Sequence, residues 1–165
     1  AIAQTIIFPM GIDSKKIKNL DGLKPGSTVA VPNDPTNGGR GLLLLEKKGL
    51  IKLNPQAGLK ATAKDIVENP KNLKIKELEA AQIPRALDDV DIAAVNANYA
   101  LVAGLSPKTD SIAIEDPKSP YAGLIVVRTK DKEVPVFQKL IKAYHSAEVK
   151  AFVDQHFKGS LVTAW

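Results

Sequence analysis

The amino-acid sequence predicts an α/β fold with parallel strand pairs, on three grounds. β-Branched or alternating runs at residues 28–31, 73–78, 91–96, 112–115 and 124–127 read as strands. Helical stretches separate several of them. Glycines stand where two of those helices should stop, Gly49 and Gly104. Strands alternating with helices are the pattern of crossover-connected parallel pairs, whose ligands collect at the carboxyl ends of the strands.

Residues 1–12 form an extended apolar segment interrupted by Pro9 and Gly11. The opening run reads as a strand already inside a domain, with a leader expected ahead of it. Residues 20–26 make a turn-rich entry to the strand at 28–31, which Pro32 can close. Asp34 followed by Pro35 is the pairing expected of an N-cap and first helical position, and that helix runs through four leucines to Lys48. Asn54-Pro55 and Gly58 mark a loop, and residues 62–67 a second helix or turn that Asn69-Pro70 ends. Leu73-Lys-Ile-Lys-Glu-Leu78 alternates apolar and charged residues, a half-buried strand. Residues 80–87 are helical, with Pro84 either an early-turn or an awkward interior residue. Asp91-Ile-Ala-Ala-Val-Asn96 is a short buried strand followed by a helix at 98–103, and residues 136–149 and 150–157 close the chain as helical segments.

The 165 residues suit one domain or two small lobes. No apolar run reaches membrane-spanning length. The absence of cysteine removes disulfides, thiolate catalysis and Cys-based metal sites together. Net charge is +5, yet only three of the 23 basic residues are arginine: Arg40, Arg85 and Arg128. A nucleic-acid reader interleaves more arginine with aromatics. The lysines therefore read as solvated surface, and no nucleic-acid partner is expected.

The densest polar cluster is Asn33-Asp-Pro-Thr-Asn-Gly-Gly-Arg-Gly41, at a strand end and helix start. Thr36, Asn37, Gly38 and Gly39 are expected to leave backbone N–H groups open, where a helix N-terminus favours an anion. Arg40 adds a planar, permanently charged fork that fits a carboxylate or phosphate. The glycines around it leave room for a ligand's backbone. The competing reading is a surface arginine or a salt bridge to Glu46, and burial against an internal carboxylate would count against ligand binding. Asn96 ends another strand, and its amide can accept from an ammonium and donate to a carboxylate. The alternative there is an asparagine that satisfies a turn.

Asp88, Asp89 and Asp91 read as a solvated turn, and His145 and His156 as structural or surface residues too widely spaced to share a metal. The phosphate-loop and dinucleotide fingerprints are absent. With no nucleophile, base or metal set in the strand-end loops, neither catalysis nor a cofactor is expected.

Val31-Pro-Asn-Asp-Pro-Thr-Asn37, Gly39-Arg40, Leu42-Leu-Leu-Leu-Glu46, Val67-Glu-Asn-Pro-Lys-Asn-Leu73, Asp91-Ile-Ala-Ala-Val-Asn-Ala-Asn-Tyr-Ala100 and Ser119-Pro-Tyr121 resemble the NlpA/MetQ family. These are substrate-binding lipoproteins of methionine ABC importers, and the resemblance runs from Ala1 to Trp165. It implies a type II periplasmic-binding-protein fold: one lobe plus crossover strands and C-terminal helices, with the family's N-terminal lobe absent from the sequence. Residues 1–12 would be the first crossover, 13–114 the lobe, and 115–165 the return crossover and terminal helices. It implies that Arg40 grips the ligand's α-carboxylate, that Asn96 helps to hold its amino-acid backbone, and that residues 36–39 border the site. Gly123 stands where the family pattern has a ligand-contacting asparagine, and Asp13 where a tyrosine is usual. A lost amide at 123 removes a hydrogen-bonding partner worth about 0.5–1.5 kcal/mol.

The function expected is capture of an amino acid, methionine or a related small amino acid or peptide, for an ABC importer with permease and ATPase subunits. The resemblance places it at the extracytoplasmic face of the cell membrane, lipid-anchored, and periplasmic in a Gram-negative cell. The alternative is a truncated or altered lobe acting as a structural or association module with weak or no ligand binding. Val136-Phe137, Leu140-Ile141, Phe152-Val153 and Phe157 are expected to present apolar surface in the terminal helices, and with it a homodimer.

Overall fold

In chain order the computed structural model, which describes residues 1–165, contains β1 (Ala3–Ile7), β2 (Gly11–Asp13), β3 (Thr28–Pro32), α1 (Pro35–Lys47), β4 (Lys52–Leu53), β5 (Ile66–Glu68), β6 (Lys74–Leu78), α2 (Ile83–Ala86), β7 (Ile92–Val95), α3 (Ala97–Val102), β8 (Ala113–Ile114), β9 (Ala122–Ile125), α4 (Pro135–Tyr144), α5 (Ala147–Phe157) and β10 (Val162–Thr163). They form two units, Met10–Glu115 and Ala1–Pro9 with Asp116–Trp165. The expected boundaries at 12/13 and 114/115 thus move to 9/10 and 115/116. The reason is pairing: β2 is laddered to both β7 and β8, and the Glu115 N–H donates to the Met10 carbonyl at 2.9 Å, extending that ladder by one residue.

The larger unit is a five-stranded sheet in the order β6-β3-β7-β2-β8. β3 runs parallel to β6 and β7, while β2 is antiparallel to β7 and β8. β3 and β7 are apolar at nearly every position because both their faces are covered. Side-chain alternation sorts them: Val29, Val31, Ile92 and Ala94 join Leu42 and Leu45 of α1 in one core. Ala30, Ala93 and Val95 meet Ile83, Leu87, Val90 and Ala100 in the other. β6 lies at the edge, and its exposed Lys74, Lys76 and Glu77 discourage further strand pairing there.

α1 begins as its residues dictate, with Asp34 as N-cap and Pro35 in its first turn. It is followed by Gly49 in the left-handed region at φ 73°. Within residues 62–67 the chain makes one 3-10 turn, Ala63–Asp65, so the turn of the two alternatives holds. Asp65 Oδ2 accepts from both the Thr62 N–H (2.8 Å) and hydroxyl (2.7 Å), which closes a single turn. Val67 then belongs to β5, paired with β4. Asp91 and Asp88 tie the turn to distant segments: Asp91 takes the Thr28 N–H at 2.7 Å and hydroxyl at 2.9 Å, and Asp88 pairs with Lys15.

The smaller unit carries an antiparallel sheet in the order β10-β1-β9 with α4 and α5. The terminal helices divide at Ser146 rather than at 149/150, because the Ser146 hydroxyl caps α5 by accepting from the Val149 N–H. His145 stacks on Trp165 with ring centroids 4.7 Å apart, and its Nε2 lies 2.8 Å from the Gln4 carbonyl of β1. Val136, Leu140 and Phe152 are 58%, 46% and 59% exposed, as the sequence suggests, whereas Val153 is buried.

Asp13 is the anomaly of the core. β2 turns Gly11 and Asp13 to the same face, where a Cβ on Gly11 would sit 2.2 Å from the Ser111 hydroxyl. That hydroxyl donates to Asp13 Oδ1 at 2.8 Å, and Asp13 Oδ2 is buried without a partner. Burial pushes the Asp13 carboxyl above its ordinary range, the Ser111 hydrogen bond opposes this, and the charge of Asp110 adds to it. The native state therefore holds this proton to higher pH than the unfolded chain. The stability it contributes is complete below the unfolded value and is lost as pH rises through the folded one. Asp13→Asn should raise the melting temperature at pH 7.5 and change it little at pH 4, which thermal denaturation followed by circular dichroism across that range will read.

Candidate functional site

The sheet brings one set of polar residues to one edge. β2 is antiparallel to β7, so Gly11 faces Val95 at the carboxyl end of β7, and β8 ends beside the same Gly11. The carboxyl ends of β3, β7 and β8 and the start of β2 therefore share an edge. Arg40, Asn37, Asn96 and Glu115 all sit there. Asp13, paired with Ala93, lies further along β2 and takes no part.

Arg40 is not the open cation that the sequence suggested. It is 7% exposed, and its Nε donates to both Glu115 oxygens at 3.0 and 3.1 Å. Its Nη2 donates to Glu115 Oε2, which also accepts the Met10 N–H at 3.1 Å. Glu46, the acid four residues before Leu50, instead accepts the Leu53 N–H at 2.7 Å. A buried guanidinium needs such a partner, since removing either charge from water is costly unless the other compensates it.

The helix start is likewise occupied by the chain itself. Asp34 Oδ1 accepts the Asn37 N–H at 2.9 Å, and the Asp34 carbonyl accepts the Gly38 N–H at 2.8 Å. Thr36 is exposed on that turn. A Cβ on Gly38 would lie 2.7 Å from the Pro32 carbonyl, and one on Gly39 would lie 2.8 Å from that of Leu59 and 3.0 Å from that of Ala61. These glycines admit the protein's own backbone, which corrects the expectation that they clear a path for a ligand.

Asn96 gives the strongest sign of a missing donor. Its Nδ2 donates to Asn37 Oδ1 at 2.8 Å, and Asn37 Nδ2 donates in turn to the Asp34 carboxylate at 3.1 Å. The side chain makes no capping bond to α3, which sets aside the turn-satisfying reading. Its Oδ1 is buried and accepts nothing. Such an orphan costs about 1–3 kcal/mol until a donor reaches it. A cleft of about 250 Å³ adjoins the start of α1, lined by Asp34, Gly38, Gly39, Lys60 and Thr62 among others, but neither Arg40 nor Asn96 lines it.

Gly123 lies in the smaller unit, on β9. A Cβ there would meet the Thr5 hydroxyl at 2.5 Å, beside the register slip of β1 between Gln4 and Ile7. The missing side chain thus answers a local packing demand. No cluster of three histidine or acidic side chains could hold a metal. Sequence reasoning missed Glu115. The only signal was a lone acid closing the apolar run Ile112-Ala-Ile, 75 positions from its partner, where no local periodicity can reveal it.

The larger unit is thus a parallel-centred α/β sheet with polar residues at its strand ends, joined by two chain crossings to a second unit. The chain belongs to the NlpA lipoprotein family, whose model matches residues 1–165. It is 53% identical over 167 aligned residues to the D-methionine-binding lipoprotein MetQ of Salmonella typhimurium, covering 100% of this chain and 62% of that protein. The Outer membrane lipoprotein 3 of Mannheimia haemolytica is 48% identical, at 99% and 62% coverage. Among solved structures, a nutrient binding protein from Burkholderia cenocepacia bound to methionine superposes with a TM-score of 0.91 at 55% identity, over 98% of this chain and 68% of that one. An ABC transporter, periplasmic substrate-binding protein from Coxiella burnetii gives 0.92 at 48%, over 99% and 69%. The chain thus spans about 62% of the length of these curated relatives. No helix is long and apolar enough to cross a membrane.

The glycine contacts make a prediction of their own. Gly39→Ala should destabilise the protein by about 1–3 kcal/mol through overpacking against the Leu59 and Ala61 carbonyls, as measured by urea denaturation. A variant of parental stability would show that the space beside Gly39 is open after all.

Proposed function

We propose that the chain belongs to the substrate-binding component of an ABC importer, that its ligand is methionine or a related small amino acid, and that its role is recognition without catalysis. The observation that carries this is the buried, partnerless Oδ1 of Asn96 at the same sheet edge as the Arg40–Glu115 pair. An amino acid's ammonium supplies the absent donor, and its carboxylate approaches the guanidinium of Arg40, whose Nε and Nη2 Glu115 already holds. Thr36, Asn37, Gly38 and Gly39 border that position, Asn37 by orienting the Asn96 amide. The names of the relatives, D-methionine-binding lipoprotein and ABC transporter substrate-binding protein, support the same reading. With it go permease and ATPase partners and a lipid-anchored, extracytoplasmic location.

A second reading, association through the terminal helices as a homodimer, is favoured by the exposed Val136, Leu140 and Phe152. Sedimentation tests it: a monomer across the micromolar range sets it aside.

Titration calorimetry of the natural full-length protein with L-methionine tests the first. Asn96→Ala should weaken binding by about tenfold or more, since a hydrogen bond accepted from a charged group is worth about 1.5–3 kcal/mol. Arg40→Ala should abolish the heat. Parental affinity in both variants would place the ligand elsewhere.

A further inference from the structure

Glu115 does more at this edge than accompany an arginine. Its carboxylate reaches back over the start of β2, where it takes the Met10 N–H, and Gly11 beside Met10 faces Val95. Asn96 follows Val95 directly. Neighbouring strands lie about 4.8 Å apart, so one strand spacing separates the Glu115 contact from the strand that carries the orphan acceptor. The edge thus holds one buried positive charge, one buried negative charge and an unmet acceptor. Asp34, the other acid near it, is engaged by Asn37 on both oxygens.

A ligand bearing only a carboxylate brings a net negative charge to a site whose guanidinium is already neutralised. A zwitterion brings none, and its ammonium is drawn to the same Glu115 that opposes the carboxylate. The two ligands share the carboxylate, so the difference between them reports what the ammonium meets, Asn96 Oδ1 and the charge of Glu115, and a Glu115 variant separates the second from the first. We propose that Glu115 is the specificity-determining residue that makes this site prefer a zwitterionic amino acid over the same molecule without its amino group. The inference rests on the placement of the ligand's carboxylate at Arg40 and its ammonium at Asn96 given above.

The test compares L-methionine with 4-(methylthio)butanoate, its counterpart without the amino group, by calorimetry on the natural full-length protein. Glu115→Gln removes the charge and keeps one acceptor oxygen for Arg40 and Met10, while an NH2 donor replaces the other. The affinity ratio of methionine to the des-amino acid should fall by about tenfold in this variant. Glu115→Asp keeps the charge and should retain most of the parental ratio whatever it costs in stability. A ratio unchanged in Glu115→Gln, with both ligands weakened alike, assigns Glu115 a purely structural role and overturns the proposal. A ratio lost in Glu115→Asp overturns it too, and remains measurable if Glu115→Gln fails to fold. Parental binding of methionine by Arg40→Ala overturns the placement of the ligand itself, a result distinct from either.

Discussion

The ion pair between Arg40 and Glu115 is the constraint on which the polar edge of the larger sheet depends. Arg40 is carried by α1, a helix held against the sheet by Leu42 and Leu45, so its guanidinium enters a region where water is excluded. A lone charge there would be prohibitive. Glu115 makes the burial tolerable, and it also holds the first backbone N–H of the unit at Met10. One carboxylate thereby joins the helix to the two places where the backbone enters and leaves the larger unit.

The close approach of α1 to its surroundings follows from the same logic. Gly38 and Gly39 let the helix lie against the Pro32, Leu59 and Ala61 carbonyls, and Gly41 lets it lie against Ala94 and Val31 of the sheet. Side chains at those positions would lift the helix and with it the guanidinium. The glycines and the arginine are thus parts of one arrangement, in which small residues set the depth and the acid sets the direction.

Much of this was legible in the residues. Asp34-Pro35 marked the start of α1, Gly49 and Gly104 marked helix ends, and the apolar runs at β3 and β7 marked strands buried on both faces. Asn37 and Asn96, both polar residues at strand ends, are joined by a hydrogen bond. What sequence could not show was long-range or shared. The acid at 115 meets Arg40 only through the order of strands in the sheet. The burial of Asp13 depends on Ser111 from a distant segment. The break between α4 and α5 turned on which of several polar residues captured a backbone N–H, and Ser146 did. Pattern reports periodicity, and these contacts have none.

The relay from Asn96 through Asn37 to Asp34 bears on how the protein ages. Asn37 precedes Gly38, the dipeptide in which an asparagine most readily cyclises onto the following nitrogen and hydrolyses to aspartate. Here that nitrogen is committed to the Asp34 carbonyl, and both ends of the Asn37 amide are engaged. Native structure therefore shields a chemically fragile bond. Each excursion through the unfolded state exposes it, and a molecule so altered would refold with two carboxylates facing each other beneath Asn96.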